Sequence, residues 1–214
     1  MLMLVSSVVA GLGMIGDSVT VVIGAMVIAP LLGPILAAIL GAALGERLLI
    51  LKALRTALVG FAIAVAVGIV CGVVVDIDTE ISQVSTRSDV GLEGAALALA
   101  SGTAAALSVT TGVSAVLVGV MVSAALLPPA VAIGLFIGEG HLYLASGATL
   151  LFFVNVSALT LAGQVVFLVQ GIRPRQWFDR KDAFQSDHIS IGFWAIALVI
   201  LVAVDYGRDF LVGK

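Results

Sequence analysis

Four prolines in two apolar stretches are the residues whose placement has the clearest chemical consequence. Pro30 and Pro34 lie in one stretch, and Pro128 and Pro129 lie in the other. A proline inside a helix lacks a backbone N–H, so the carbonyl four residues earlier loses its donor. The carbonyls freed in this way would be those of Met26, Pro30, Ala124 and Ala125. Because such carbonyls carry negative partial charge and helix starts carry positive partial charge, the pattern predicts a site for an ion or small solute.

Two polar side chains are expected to serve this site. Asn155 lies deep in the apolar run LFFVNVSAL, where an unpaired amide is costly. It is expected to bond a neighbouring helix or a freed carbonyl, and it would act either as glue between helices or as part of a solute path. Asp17 precedes a long apolar stretch. It is either a cation or proton site or an N-cap for the helix that follows.

The sequence patterns of catalysis are missing. There is no phosphate-binding loop of the Walker type, no HExxH and no GxSxG. His141 has no second His or Cys nearby, so no metal site is expected. The sequence therefore predicts a protein that is not an enzyme, carries no metal or other cofactor, and does not bind nucleic acid.

The composition indicates a membrane protein. Hydrophobic residues make up 61% of the 214 residues and charged residues 11%, whereas soluble domains are about 45–50% apolar and about 25% charged. This excludes an ordinary globular enzyme, a disordered chain and a disulfide scaffold, the last because Cys71 is the single cysteine. Aromatic residues are only 6%, which disfavours a β-barrel with aromatic girdles.

Crossing the hydrocarbon layer takes about 20 apolar residues. Seven runs are candidates, and two of them are short. They are Leu2–Gly16, Ser18–Gly45, Thr56–Val75, Gly94–Ser108, Gly112–Gly138, Leu142–Gln170 and Ile189–Val204. The sequence therefore predicts an all-α integral membrane protein with about seven transmembrane helices in a single membrane domain, residues 1–214.

An internal repeat groups these spans. Gly24–Ala37 and Gly119–Ala132 align without a gap at an offset of 95 residues, and eight of the 14 positions are identical. The predicted order is repeat A at 1–75, an outer loop at 76–93, repeat B at 94–170, an inner loop at 171–188 and a last helix at 189–206. Since three spans per repeat is an odd number, repeat B would be inverted relative to repeat A, with a proline-broken second helix in each.

Positive charge predicts the orientation. Arg47, Lys52 and Arg55 lie in a charged stretch, Glu46–Arg55, that is interpreted as the loop before the third span. The loop after the sixth span carries Arg173, Arg175, Arg180 and Lys181. Both loops fall on one side of a seven-span chain, and basic loops face the cytoplasm. The prediction is a multi-pass protein of the cell (inner) membrane, with its N-terminus cytoplasmic and its C-terminus outside.

Three strings, IGAMVIAPLLGPILA, ALLPPAVAIGL and LFFVNVSAL, resemble a family of hydrophobic membrane domains of unknown function in bacteria and archaea. Members of this family pair a G-A-M-[VLI]-[IL]-[AS]-P-x-x-x-P stretch with a later L-x-P-P and an Asn in the sixth span. The resemblance covers about residues 10–170. It implies no particular activity, so the functional prediction depends on the residues themselves.

The leading functional hypothesis is a secondary transporter or permease for a small solute or ion, because inverted repeats with matching helix breaks are typical of such proteins. The alternatives are a channel-like pore and a non-transporting structural or sensory membrane module. The expected partners are the lipid bilayer, the solute or ion, and further copies of the chain. Close helix contacts, within one chain or between copies, would use the GxxxG pairs Gly41/Gly45, Gly68/Gly72 and Gly134/Gly138.

The predicted topology is testable by thiol labelling. Cysteines introduced at Glu80 and Arg175 in a Cys71→Ala background should react with an impermeant reagent from opposite sides of the membrane, because an odd number of spans separates them. Labelling of both positions from the same side would refute the odd span count and with it the inverted repeat.

Overall fold

The computed structural model describes residues 1–75, 92–112, 114–172 and 191–205, and the regular structure in these ranges is helical. The helices are α1 Leu2–Ile15, α2 Val19–Ile28, α3 Leu32–Leu44, α4 Arg47–Val74, α5 Leu92–Thr111, α6 Ala115–Gly138, α7 Leu142–Val169 and α8 Ile191–Asp205. Most of the outer and inner loops predicted from the sequence, including Glu80 and Arg175, lies outside the described residues.

Four helices, α4 to α7, are long and apolar enough to cross a membrane, and α2 with α3 adds a fifth if the bent pair is one span. The chain is therefore compatible with a multi-pass membrane protein. The predicted number of seven is not reached by these criteria, because α1 and α8 are short apolar helices. The 14 residues of α1 rise only about 21 Å, against roughly 30 Å of hydrocarbon.

The predicted break in the second span lies at Pro30. α2 ends at Ile28 and α3 begins at Leu32, and the two helices are bent by 57°. The break follows from the residue before the proline, because Ala29 is extended (φ −68°, ψ 122°), the conformation that a following proline favours. Pro34 plays no part in it, since it lies in the first turn of α3, where an N–H has no intrahelical partner in any case.

The predicted break at Pro128–Pro129 is wrong: α6 runs through both prolines as one helix, Ala115–Gly138. The sequence offers a physical reason for the difference between the two stretches. Pro30 aligns with Ala125 at the offset of 95. The proline that forces the backbone out of the helix in the first stretch therefore has no counterpart in α6.

The third span also begins earlier than predicted. α4 starts at Arg47, so the charged stretch interpreted as a loop forms the first turns of the helix. The connection from α3 is short because Gly45 adopts a left-handed conformation (φ 69°) and ends α3 directly before Glu46. Long basic side chains such as Lys52 can lie along a helix and still reach the membrane surface with their charged ends.

Two glycine pairs bring α4 and α6 together at backbone distance. A Cβ atom placed on Gly68 would lie 2.9 Å from the Gly134 Cα, and one placed on Gly138 would lie 3.0 Å from the Gly72 Cα. No side chain fits between helices at this separation. The third pair is also used within the chain, because a Cβ on Gly41 would lie 3.0 Å from Ile50 Cγ1. The GxxxG spacings therefore serve contacts inside one chain, and the homo-oligomer stays a prediction.

Contacts between the helices define their directions. In three pairs (α1 with α4, α4 with α6, and α5 with α7) later residues of one helix meet later residues of the other, so each pair is parallel. The contacts are Met3–Gly60 and Gly11–Cys71, Gly68–Gly134 and Gly72–Gly138, and Gly94–Leu151 and Gly102–Leu159. Short connections make successive helices antiparallel. Thus α1, α4 and α6 run one way, and α2–α3, α5 and α7 run the other way.

Helix boundaries recur at the sequence offset of 95 residues. α4 (Arg47–Val74) shifted by 95 coincides with α7 (Leu142–Val169) at both ends. The backbone conformations recur as well: Gly45 and Gly140 both have positive φ, and so do Asp17 and Gly112. These correspondences lie at the ends of the helices, outside Gly24–Ala37 and Gly119–Ala132, where the sequences align.

The close contact of α4 and α6 predicts a specific sensitivity to added volume. Gly134→Ala should lower the free energy of unfolding by about 1–3 kcal/mol, because the methyl group would overlap the α4 backbone. Gly24→Ala is the matched control within a helix, since a Cβ there meets nothing within 4 Å, and it should be neutral or stabilising by about 0.5–1 kcal/mol. Thermal unfolding in detergent measures both. Equal stability of the two variants would contradict the contact.

Candidate functional site

The two proline-bearing stretches lie against each other inside the bundle. Ser123 of α6 is fully buried, and its Oγ donates a hydrogen bond of 3.3 Å to the carbonyl oxygen of Ala29, the last residue before Pro30. One turn away on each stretch, a Cβ placed on Gly119 would lie 3.8 Å from the Leu32 Cβ. The bend between α2 and α3 is therefore packed directly on α6.

Asn155 supplies the donor that Pro129 removes. It is the fourteenth of the 28 residues of α7 and only 3% exposed. Its Nδ2 donates a hydrogen bond of 2.8 Å to the carbonyl oxygen of Ala125, which has no N–H donor four residues later. The expectation that Asn155 bonds a freed carbonyl is confirmed. This bond satisfies one of the two carbonyls that the consecutive prolines expose and helps α6 to continue through them.

The other end of the same amide faces a different environment. Asn155 Oδ1 is buried and accepts no hydrogen bond from the described residues. The orientation of the amide is fixed, because the Ala125 carbonyl accepts and cannot donate, so the nitrogen must face it. On the Oδ1 side lies Gly94 of α5, where an added Cβ would be 3.8 Å from this oxygen and 3.4 Å from Leu151 Cδ1. The site thus contains a buried, oriented acceptor in the middle of α7.

A serine of α5 bonds α6 one turn before the Asn155 contact. Ser101 Oγ lies 3.1 Å from the Met121 carbonyl and 2.7 Å from the Leu97 carbonyl of its own helix. Ser101 and Ser123 were not predicted as partners of other helices. A helical serine can always bond its own backbone four residues earlier, so the sequence gives no signal that separates the two roles.

The remaining predicted site residues of the proline stretches differ in burial. The buried residues are Met26, Ala125, Pro128, Pro129 and Asn155. Two residues are half-buried, Pro34 and Ala124, and Pro30 is exposed. Ala125, Pro128 and Pro129 belong to α6, Asn155 bonds it, and Met26 lies in the same hydrophobic core. Pro30 contributes through the bend that it imposes on the chain.

Asp17 lies outside this group. It is exposed and adopts a left-handed backbone conformation with φ 47°. The N–H of Asp17 bonds the Met14 carbonyl, and that of Ser18 bonds the Gly13 carbonyl, which is the Schellman arrangement at a helix C-terminus. The N-cap interpretation is wrong, because Ser18 holds that position of α2 and Asp17 follows the C-cap of α1, Gly16. The ten residues of α2 place it about 15 Å along the helix from the bend.

The described Lys and Arg residues lie together at one end of the bundle. Arg47, Lys52 and Arg55 lie in the first turns of α4. Since α1 and α6 run parallel to α4, their C-terminal ends lie at the opposite end, where Asp17 follows α1 and Glu139 follows α6. Glu139 is paired there with His141 of the next turn, at 3.3 Å between Oε2 and Nδ1.

The Asn155 bond predicts an energetic coupling with Pro129. Asn155→Leu should lower the free energy of unfolding by about 1–3 kcal/mol in the native sequence, because it leaves the Ala125 carbonyl without a donor. The loss should be smaller in a Pro129→Ala background, where the substituted alanine offers its own N–H. Ser101→Ala is the control. Its change in the free energy of unfolding and that of Pro129→Ala should sum to the change in the double variant within about 0.5 kcal/mol. Additive effects of Asn155→Leu and Pro129→Ala would show that the two residues do not share this carbonyl.

Comparison with known proteins places the chain in a family. A family model described as a domain of unknown function (DUF389) matches residues 26–161. An uncharacterized protein of Methanocaldococcus jannaschii is 33% identical over 206 residues, covering 94% of this chain and 64% of that protein. The chain thus spans slightly less than two thirds of the length of this relative. No solved structure matches it. The chain belongs to the DUF389 family, a family of domains of unknown function.

Proposed function

We propose that the protein is a secondary transporter of a small solute or ion, with its site where the two proline-bearing stretches meet. The observation that carries this proposal is the buried contact between the α2–α3 bend and α6, made by Ser123 Oγ and the Ala29 carbonyl. A bend in a transmembrane helix exposes backbone groups that lipid cannot satisfy, so such bends lie against protein or a wet path. Transport proteins use them as binding sites.

The proposed architecture is a pair of inverted repeats. Support comes from helix directions: α1 and α4, the outer helices of the first repeat, run opposite to α5 and α7, the outer helices of the second. Further support comes from the offset of 95 residues, which relates the ends of α4 to those of α7 and the left-handed turn at Gly45 to that at Gly140. Two copies of opposite direction would allow the site to be approached from either side of the membrane.

The proposed orientation places the start of α4 in the cytoplasm. The described basic residues of α4 favour it, because Lys and Arg accumulate on the cytoplasmic side. The chain direction then brings the end of α7 to the same side, and the sequence that follows α7 is basic, with Arg173, Arg175, Arg180 and Lys181. In this orientation the N-terminus is cytoplasmic, Asp17 and Glu139 lie outside, and a crossing by α8 would take the C-terminus outside.

Proline replacement tests the role of the bend. Pro30→Ala should reduce transport about tenfold or more, equivalent to about 1.4 kcal/mol of barrier, because it returns a donor to the Met26 carbonyl and lets α2 and α3 join. Pro34→Ala is the matched control and should transport at close to the parental rate, since its position needs no N–H. Purified protein in liposomes would be screened with labelled sodium, rubidium, chloride and urea. Parental transport by folded Pro30→Ala protein would exclude the bend from the mechanism.

A channel-like pore is the second candidate, and the geometry of α2 and α3 favours it over a sensory module, because a bend of 57° also suits a helix pair that re-enters a membrane. Counterflow separates carrier from channel. A carrier should accumulate label against an unlabelled internal pool, and a channel should only equilibrate it. Absence of any solute movement, together with binding to another membrane protein, would favour the non-transporting module.

A further inference from the structure

We propose that Asn155 Oδ1 is the atom that recognises the transported solute, and that the solute presents an N–H or O–H donor to it. This inference depends on the proposed transport function and names its substrate class: small, donor-bearing molecules, either neutral or positively charged. Anions such as phosphate or carboxylates are excluded from this position.

The first step of the inference is the state of the amide. Asn155 is 3% exposed, its Nδ2 is held by the Ala125 carbonyl at 2.8 Å, and its Oδ1 has no partner among the described residues. Buried side-chain acceptors are nearly always hydrogen-bonded, and an exception calls for an explanation. The bond to Ala125 prevents the amide from rotating to satisfy its oxygen. The acceptor is therefore held in place for a donor that comes from outside these helices.

The second step is the space beside the oxygen. Gly94 is half-buried and lies in the first turn of α5. Because it has no side chain, there is room beside Oδ1 for one carbon atom, which would lie 3.8 Å from Oδ1 and 3.4 Å from Leu151 Cδ1. An approaching solute would pass between the start of α5 and the middle of α7. This places the contact at mid-height of α7, the depth at which transporters with inverted repeats bind their substrates.

The third step is the sign of the surrounding charge. α5, α6 and α7 carry no Lys, Arg or His in their described residues, so no cation there could balance a bound anion. The amide nitrogen of Asn155 is held by the Ala125 carbonyl, so the fixed acceptors nearby are that carbonyl oxygen and Oδ1 itself. An oxygen lining attracts donors and cations and repels anions, and this difference is large where water is excluded. The position therefore selects for a donor.

The test uses the fact that Asn155 is the one asparagine in the chain. Protein labelled with isotopic asparagine, and carrying a tag without asparagine, gives one side-chain amide signal in lipid bilayers. Infrared and solid-state NMR spectra would be recorded with methylammonium, urea, acetate and phosphate as probes. Methylammonium or urea should lower the C=O stretching frequency and shift the Cγ resonance, whereas acetate and phosphate should leave both unchanged. The two donor probes separate a cationic from a neutral substrate.

Two variants at Gly94 provide a matched pair. Gly94→Ser places a hydroxyl next to Oδ1, where it can donate to the oxygen, so the amide signal should shift in the absence of any probe and no longer respond to the probes. Gly94→Ala adds the same Cβ without a donor, and its signal should still respond. Folding of both variants would be followed by helix content and thermal unfolding. Loss of the response in both folded variants would contradict recognition at Oδ1.

Three outcomes in the native sequence would overturn the proposal. The first is an amide signal that none of the probes moves while the liposomes still transport, which would leave the transport function intact and remove Asn155 from recognition. The second is a shift caused by acetate or phosphate, which would reverse the substrate class. The third is a C=O stretching frequency that is already lowered in the absence of any probe and that no probe moves, which would show that Oδ1 permanently accepts a hydrogen bond from the protein or from a structural water.

Discussion

The hydrogen bond from Asn155 Nδ2 to the Ala125 carbonyl is the interaction on which the centre of this structure depends. In hydrocarbon, a backbone carbonyl without a donor costs several kcal/mol, and two consecutive prolines expose two such groups. A single amide from the middle of α7 supplies one donor, and α6 continues as a helix. That continuity positions Ser123 against Ala29 and Gly134 against Gly68. The contacts of α6 with the bend and with α4 therefore presuppose an unbroken α6.

The prolines of the two halves of the molecule lie in different surroundings. In the second half, α6 is locked at backbone distance to α4 by the glycines at 68, 72, 134 and 138, and its prolines are buried. In the first half, Pro30 is exposed, and the glycines on either side of it, Gly24 and Gly33, have open space where a side chain would be. The bent helix pair thus packs one face on the core, through buried residues such as Val22 and Ile39, and turns Gly24 and Gly33 away from it. The two similar sequence stretches give a continuous helix and a bend because their prolines lie at different positions and because their surroundings differ.

Several features could be predicted from the sequence because each follows from one local rule. The bend at Pro30 follows from the restriction that proline places on Ala29, and the bond of Asn155 to a freed carbonyl follows from the cost of a buried amide. The continuity of α6 could not be predicted, since it depends on a donor 30 residues away. The start of α4 at Arg47 could not be predicted from the sequence either, because a charged helix turn and a charged loop have the same composition. Ser101 and Ser123 could not be identified because a serine bonds equally well within its own helix.

The proposed site is built mainly from backbone groups. Bends and freed carbonyls recognise a solute by partial charges that are already in place, so no nucleophile, acid or base is required. The side chains added to this framework are a serine on each of α5 and α6 and one asparagine on α7. The serines and the amide nitrogen are donors to carbonyls inside the protein. The amide oxygen of Asn155 is the polar atom of this set that faces away from the backbone of α6. Under the proposed transport function, a backbone site of this kind leaves specificity to very few atoms, and the chemistry of that oxygen would determine which solute fits.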